Sequence, residues 1–350
     1  MLSRPFRPIL GITMGDAAGI GPEITIRSLL LKEIYHCCRP FVIGDAKVLY
    51  QERDAYKLKA RIQPIDSVLA ARFEYGTIDL LDLNNIRIEH LKMGEVQAMA
   101  GKAAYEYIEK GVQLALDGEI HGIVTAPINK EALNKGGHHY QGHTEILAEL
   151  TETKRYAMML IAENLKVVHV TTHIPLGKVA EQITKKRVME TIELANQAMK
   201  ILGSDRPKIG VAGLNPHSSD GGLFGDEERT KIEPAVAEAR EKGIDAEGPV
   251  PADTLFLKTV RGVYDVAIAM YHDQGHIPVK LLGFEAGVNM TLGLPIIRTS
   301  VDHGTAFRHA RERMGANPDS LIEAIKIAAK TAQARYKTAQ ARYNTEEDLV

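Results

Sequence analysis

The chain has 350 residues, 45 % of them apolar and 25 % charged, and a formal net charge of −2. This is ordinary globular composition at a length that fits two domains or one large α/β unit. Clustered Lys/Arg of the kind that marks nucleic-acid binding is absent, and no run of ~18 apolar residues is long enough to span a bilayer.

In chain order, the start MLSRPFRPILGITMGD carries too short an apolar run for a signal peptide. Residues 9–14 read as a strand and 22–31 as a helix. Between them Gly15-Asp16-Ala17-Ala18-Gly19-Ile20-Gly21-Pro22 forms a strand-to-helix turn with Pro22 opening the helix. It lacks both the G-x-G-x-x-G spacing and the Gly-Lys-Ser/Thr ending of a P-loop. The only cysteines, Cys37 and Cys38, are adjacent and read as small buried hydrophobes in a reduced, cytoplasmic setting. Strands follow at 40–44, 122–125, 166–172, 208–214 and 264–271, with helices at 101–117, 186–202 and 227–242. Near-continuous Val, Ile, Ala and Leu marks strands covered on both faces, and their alternation with helices predicts a largely parallel α/β sheet. Residues 118–142, rich in Gly, Pro and polar turns, read as a crossing between domains. The tail repeats itself in TAQARYKTAQARYNT, residues 331–345, and is expected to be an extended terminal helix fraying toward Val350.

Three histidines share one placement. KVVHVTT leads into His173, KIGVAGLN into Pro216 and His217, and YDVAIAMY into His272. Ligands of open parallel sheets bind outside the carboxyl ends of the strands, so imidazoles delivered there can converge. Three His ligands leave positions open for water or substrate, the catalytic arrangement. Any one of them alone reads as a turn or surface residue; the repetition points to a divalent-metal site. His169 lies on the strand face of Thr171 and His173 and reads as a satisfied neighbour rather than a ligand. His138 and His139, in a Gly-rich loop, read as exposed. No HExxH or zinc-deaminase spacing occurs.

Gly142-His143-Thr144-Glu145 opens a helix whose free N–H groups and positive dipole end suit an anion; the plainer alternative is a cap by Thr144. Lys280, Asn289 and Arg298 are sparse polar residues in the apolar stretch IPVKLLGFEAGVNMTLGLPIIRTS. They either face solvent or pair with a phosphate and a carboxylate. Asp253 in PADTLF is placed to orient a metal ligand or take a proton, or else to cap a helix.

The motifs GITMGDAAGIGPE, TAPINKEAL, GHTE, TTHIPL, GLNPHSSDGG, PADTLF, YHDQGHIPVK and LGLPIIRTSVDHGTA, in this order, resemble the 4-hydroxythreonine-4-phosphate dehydrogenase family. The resemblance spans residues 11–319. It implies a two-domain fold like isocitrate and isopropylmalate dehydrogenases, with largely parallel sheets and an interdomain cleft. On that basis one domain is expected at 1–140 plus 303–350, carrying cofactor contacts. The other is expected at 141–302, carrying the metal site and dimer interface.

By the same resemblance His173, His217 and His272 are metal ligands; His143, Thr144, Lys280, Asn289 and Arg298 bind substrate; and Asp253 supports them. The implied reaction is NAD-linked oxidation of a hydroxyl beside a carboxylate-bearing carbon, followed by loss of carbon dioxide. A Lewis acid suits both steps. Zinc fits three neutral imidazoles, with magnesium, cobalt and manganese as alternatives. The family site straddles a homodimer interface, with one histidine from the partner, and we assign that role to His272.

The wording GHIPVKLLGF is similar to enzymes acting on 4-phospho-D-threonate or 4-phospho-D-erythronate, which yield dihydroxyacetone phosphate. The alternative is the vitamin B6 substrate 4-phosphohydroxy-L-threonine, and more distant readings are a phosphate acyltransferase or a non-catalytic sugar-phosphate binder. A related group oxidises diol carboxylates lacking phosphate, against which His143 and Thr144 argue. Two departures stand out: Ala17 replaces a usual Pro, and the run after His303-Gly304-Thr305-Ala306, where cofactor contacts are expected, is the basic FRHARER. Arg308 or Arg311 there would favour the extra phosphate of NADP, or the run is simply a solvated helix turn.

Overall fold

The computed structural model describes residues 6–283 and 285–347. Its strands in chain order are β1 (Ile9–Thr13), β2 (Arg39–Gly44), β3 (Arg61–Ile65), β4 (Thr77–Asp82), β5 (Gly122–Thr125) and β6 (Ala157–Ala162). They continue with β7 (Leu165–His169), β8 (Ile209–Ala212), β9 (Ala246–Val250), β10 (Val266–Ala269), β11 (Val288–Leu292) and β12 (Arg298–Val301). Two compact units divide the chain. The first holds the described residues through Thr153 and from Leu294 onward, and the second is Lys154–Gly293.

The first unit is a parallel sheet in the order β3-β4-β2-β1-β5-β12. Its central strands read ILGIT and GIVT, and β5 is buried along its whole length. Such a strand has no solvent face on which to alternate, which explains its unbroken apolar run. The longest helices of the unit are Gly21–Leu29, Ala46–Ala55, Ala98–Leu116 and Asp319–Glu347. Asp45 caps the second of these by accepting from the Lys47 and Val48 amides at 2.9 and 3.4 Å. The last buries Leu321, Ala324, Ile325 and Ala328, a stripe at helical spacing, and packs on β5 and β12. The duplicated tail belongs to this helix as far as Glu347; the fraying expected toward Val350 lies outside the described residues.

The second unit has the order β11-β6-β7-β10-β8-β9. Here β6–β7 and β11–β6 pair antiparallel, while β7, β10, β8 and β9 run parallel. The core joins Leu160, Val167, Leu255, Tyr264, Ala267 and Val279. Each such aliphatic side chain contributes roughly 1.5–3 kcal/mol on burial. The helix expected at 227–242 opens with a π turn, Glu228–Ile232, before the α-helix Glu233–Glu241. Pro234, lacking an N–H, sits where the two join.

The observed divisions at Thr153 and Gly293 differ from those expected at 140 and 302. The helix His143–Leu150 packs on Ala98–Leu116, and Arg298 lies on β12, which pairs with β5. Both therefore belong to the first unit.

Candidate active site

In the second unit β7 and β10 are parallel neighbours, with Ala269 opposite His169. Beyond their ends the Val170 and Thr171 amides donate to the Ala269 and Met270 carbonyls at 2.9 and 3.2 Å. The Thr171 hydroxyl also donates to the Met270 carbonyl, at 2.7 Å. These ties bring the rings of His173 and His272 to a centroid distance of 5.5 Å. Both rings line a cavity of about 470 Å³ with Thr172, Tyr271 and Asp273.

His272 opens the helix His272–Gly283. Its Nδ1 donates to Asp273 Oδ1 at 2.6 Å, which leaves the lone pair on Nε2. Gln274 accepts from the Met270 amide at 2.6 Å and donates to the Gly213 carbonyl at 2.8 Å, joining the ends of β10 and β8. Gly275 is glycine because a Cβ would stand 2.3 Å from His169 Nε2. His276 lies parallel on His272, with centroids 3.6 Å apart and planes 13° apart, and its Nδ1 donates to the His272 carbonyl at 3.0 Å. His272, His276 and Lys280 are spaced i, i+4, i+8 and so form one half-buried stripe of the helix. Asn289, on β11 opposite Leu160, has a buried Oδ1 with no hydrogen-bond partner among the described residues.

His217 follows β8 in the same unit. It is exposed in the segment Pro216–Gly222, where His217, Ser218, Ser219 and Asp220 all take positive φ between 44° and 74°. Four consecutive non-glycine residues in that region are strained. The base of the segment is pinned by Glu228, whose buried carboxylate accepts from the Leu214 and Asn215 amides at 2.8 and 2.7 Å. Among the described residues, no three His, Cys, Asp or Glu side chains converge on a point able to hold a metal ion. Asp253 is exposed in the first turn of the helix Ala252–Val260, whose N-cap is Pro251, so it does not cap that helix. This helix packs on the segment bearing His217.

His169, expected to be a satisfied neighbour, is fully buried; the Met158 backbone is its weak polar contact, and neither ring nitrogen makes a well-formed hydrogen bond among the described residues. Burial, reinforced by the neighbouring His276, pulls its pKa down to about 3. His169 is therefore a neutral packing ring, tilted against His276 at 4.7 Å.

In the first unit, Gly142 is the N-cap of the helix His143–Leu150 and no side chain caps it, so Thr144 lies inside the first turn. His143 Nε2 is buried without a hydrogen-bond partner among the described residues. Burial first, and then the charge of Arg298, hold this imidazole well below its usual pKa, so it is neutral. Arg298 is 1 % exposed and donates through Nε and Nη2 to Thr125 Oγ1 at 3.2 and 2.8 Å. Burial pulls its guanidinium down to about 9, an effect partly offset by Glu145. A buried cation beside a neutral imidazole at a helix start is an environment in which a bound anion recovers the lost solvation.

His303, Gly304 and Thr305 follow β12 after Asp302, and the Ile20 amide donates to the Thr305 carbonyl at 3.0 Å. A Cβ on Gly19 would meet Thr305 at 2.9 Å, so the first glycine cluster lies against the expected cofactor loop. Asp16, at the same sheet edge, is fully buried, and burial raises its carboxyl to about 6. The basic run FRHARER is largely taken up internally: Arg308 pairs with Glu312 at 3.1 Å and Arg313 with the buried Glu52 at 2.6 Å. Nothing in the sequence pattern marks Asp16, Glu228 or the packing role of His276; their signal is burial, which emerges only on folding.

The family model described as pyridoxal phosphate biosynthetic protein PdxA matches residues 36–328. The chain belongs to the PdxA family. It is 50 % identical to the D-threonate 4-phosphate dehydrogenase of Cupriavidus necator, over 94 % of this chain and 99 % of that protein. Among solved structures it is similar to a 4-hydroxythreonine-4-phosphate dehydrogenase from Burkholderia phymatum, at 50 % identity, TM-score 0.82 and coverage of 93 % of this chain and 98 % of that one. It also matches the Klebsiella pneumoniae enzyme of the same description, at 45 % identity, TM-score 0.85 and coverage of 93 % and 99 %. The protein is thus a dehydrogenase of the PdxA family.

Proposed function

We propose that this dehydrogenase oxidises 4-phospho-D-threonate, or its epimer 4-phospho-D-erythronate, with NAD, and that the β-keto acid formed loses carbon dioxide to give dihydroxyacetone phosphate. The observation that carries the reading is the buried Arg298 beside neutral His143 at a helix start, which suits a doubly anionic substrate. Identity of 50 % across nearly the whole length of the Cupriavidus necator protein supports the choice of acid.

The histidines fit a divalent cation. Two imidazoles on one tetrahedral ion with metal–nitrogen bonds of ~2.0–2.1 Å have ring centroids roughly 5 Å apart, close to the 5.5 Å between His173 and His272. When bound, the cation supplies Lewis-acid polarisation of the substrate oxygen, and the nicotinamide supplies the hydride acceptor. Three neutral imidazoles favour zinc over magnesium, cobalt or manganese. Asp273 holds His272 in the tautomer with its lone pair on Nε2. His143, Thr144, Lys280, Asn289 and Arg298 bind the phosphate and carboxylate, and Asp253 supports the ligands. His303, Gly304 and Thr305 contact the cofactor.

With His173 and His272 side by side in one chain, His217 rather than His272 is the ligand we assign to a second copy. The surface of the second unit supports a dimer. Leu223 and Phe224 are exposed just beyond His217, and Leu281, 82 % exposed, lies one turn from exposed Ile277 on the His272 helix.

The alternative substrate, 4-phosphohydroxy-L-threonine, is favoured by the description of the two solved relatives. A spectrophotometric panel decides between them, following reduction of NAD and NADP with all three phosphorylated acids. NADH production is expected to be fastest with the threonate or erythronate; a higher kcat/KM for the hydroxythreonine, or no reduction with any of the acids, overturns the reading.

A further inference from the structure

Three imidazoles continue from the metal edge into the interior of the second unit, and two of them have no part in binding metal or substrate as proposed. His169 ends β7, four residues before His173. His276 sits one helical turn beyond His272. Its ring has His272 parallel on one side at 3.6 Å and His169 tilted against it at 4.7 Å. The backbone at Gly275 lies so close to His169 that a single added Cβ would collide with it. His276 therefore occupies a fixed place between a strand that leads to one ligand and a helix that begins with the other.

We propose that His276 is a positioning residue for the metal ligand His272, acting as a strut that sets its distance and tilt relative to His173. Two contacts do this work. Stacking fixes the plane of the His272 ring, and the Nδ1 bond to the His272 carbonyl fixes its backbone at the first helical residue. Asp273 fixes the tautomer of the same ring from its edge, so His272 is held on face, edge and main chain. Without the strut the ring regains rotamer freedom that metal binding must then remove.

The inference rests on the reading of His272 as a metal ligand, and the test separates the two. Zinc and cobalt affinities of the full-length protein are measured by competition with a chromophoric chelator, alongside the visible spectrum of the cobalt form and the melting temperature. His276→Leu removes both contacts, and its affinity is expected to fall about 10–100-fold, as is typical when a partner of a metal-bound histidine is lost. Its cobalt bands are expected to shift, while metal-free protein melts near the parent temperature. His276→Phe keeps a stacked ring without the hydrogen bond and is expected to recover part of the affinity, which also covers failure of the Leu variant to fold. Parent-like affinity and spectrum in either folded variant overturn the strut. His272→Ala reports on the underlying reading: if it binds metal as tightly as the parent, His272 is not a ligand. If only His272→Ala weakens binding, the ligand stands and the strut falls.

Discussion

The two units prepare for their ligands in opposite ways. In the first, the buried Arg298 lies near the half-buried His143, whose Nε2 is enclosed, and the cation is already held to Thr125 at the end of β5, so the elements of an anion site are preformed. In the second, His173 and His272 stand on a half-open edge and His217 is exposed on a strained segment. A phosphate needs a preformed, water-poor site to gain from charge–charge contact. A metal can be assembled from ligands that meet late, because each bond to it is strong and geometrically undemanding for zinc. On the reading proposed above, one copy of the chain carries the residues for its substrate's anionic end and needs a second copy to complete the metal site.

The largest effect that can break this contrast comes from mixed dimers. His217→Ala and His272→Ala are each expected to lose turnover entirely. Co-refolding the two restores one intact site per heterodimer, or about a quarter of parental activity from a statistical mixture. A mixture of His173→Ala and His272→Ala stays inactive, because both changes fall in the same half-site. The first mixture recovers under either assignment, so recovery in the second mixture would return His272 to the partner's role.

The next effect tests the preformed anion site. Arg298→Met is expected to lower kcat/KM by about 10²-fold, near 3 kcal/mol for the loss of charge-assisted bonds. The free protein loses little melting temperature, because an apolar side chain of similar length replaces a cation buried at a desolvation cost. A sharp drop in melting temperature together with unchanged KM would make Arg298 structural.

The smallest effect concerns acid. The pKa of His169 is pulled to about 3 in the folded state against 6.5 for an ordinary histidine. Its contribution to stability is therefore complete above pH 6.5 and is lost as pH falls from there toward 3, while the unfolded chain gains the proton. His169→Leu should remove about 2 kcal/mol of the stability lost between pH 6.5 and 5, read from urea unfolding at each pH. An unchanged slope would place the acid sensitivity elsewhere, with His143, depressed in the same direction, as the counterpart in the first unit.

Strands buried on both faces were legible from sequence because composition alone marks them; GIVT appears at the residues read, 122–125. Those that were not legible carry conflicting signals. β3 contains Pro64 and β9 contains Pro249, both poor ladder formers, and β6 and β11 run antiparallel in an otherwise parallel pattern. The helix His272–Gly283 was missed for the same reason, since Gly275 and Pro278 read as breakers, yet packing against β6 and β7 holds it. Histidines at strand ends could be seen because each follows its own apolar strand run along the chain. The stack behind them could not, because His169 and His276 are 107 residues apart in sequence and meet only through the helix.

Gln274 carries one more implication. Its single amide fastens the end of β10 to the end of β8, so the loops leading to His272 and His217 are joined by protein alone. The edge resembles a socket more than a clasp. Strand ends fastened in this way keep their places without an ion, in contrast to small metal-nucleated domains that unfold when stripped. On the metal-dependent reading proposed above, one divalent cation can replace another without the chain coming apart.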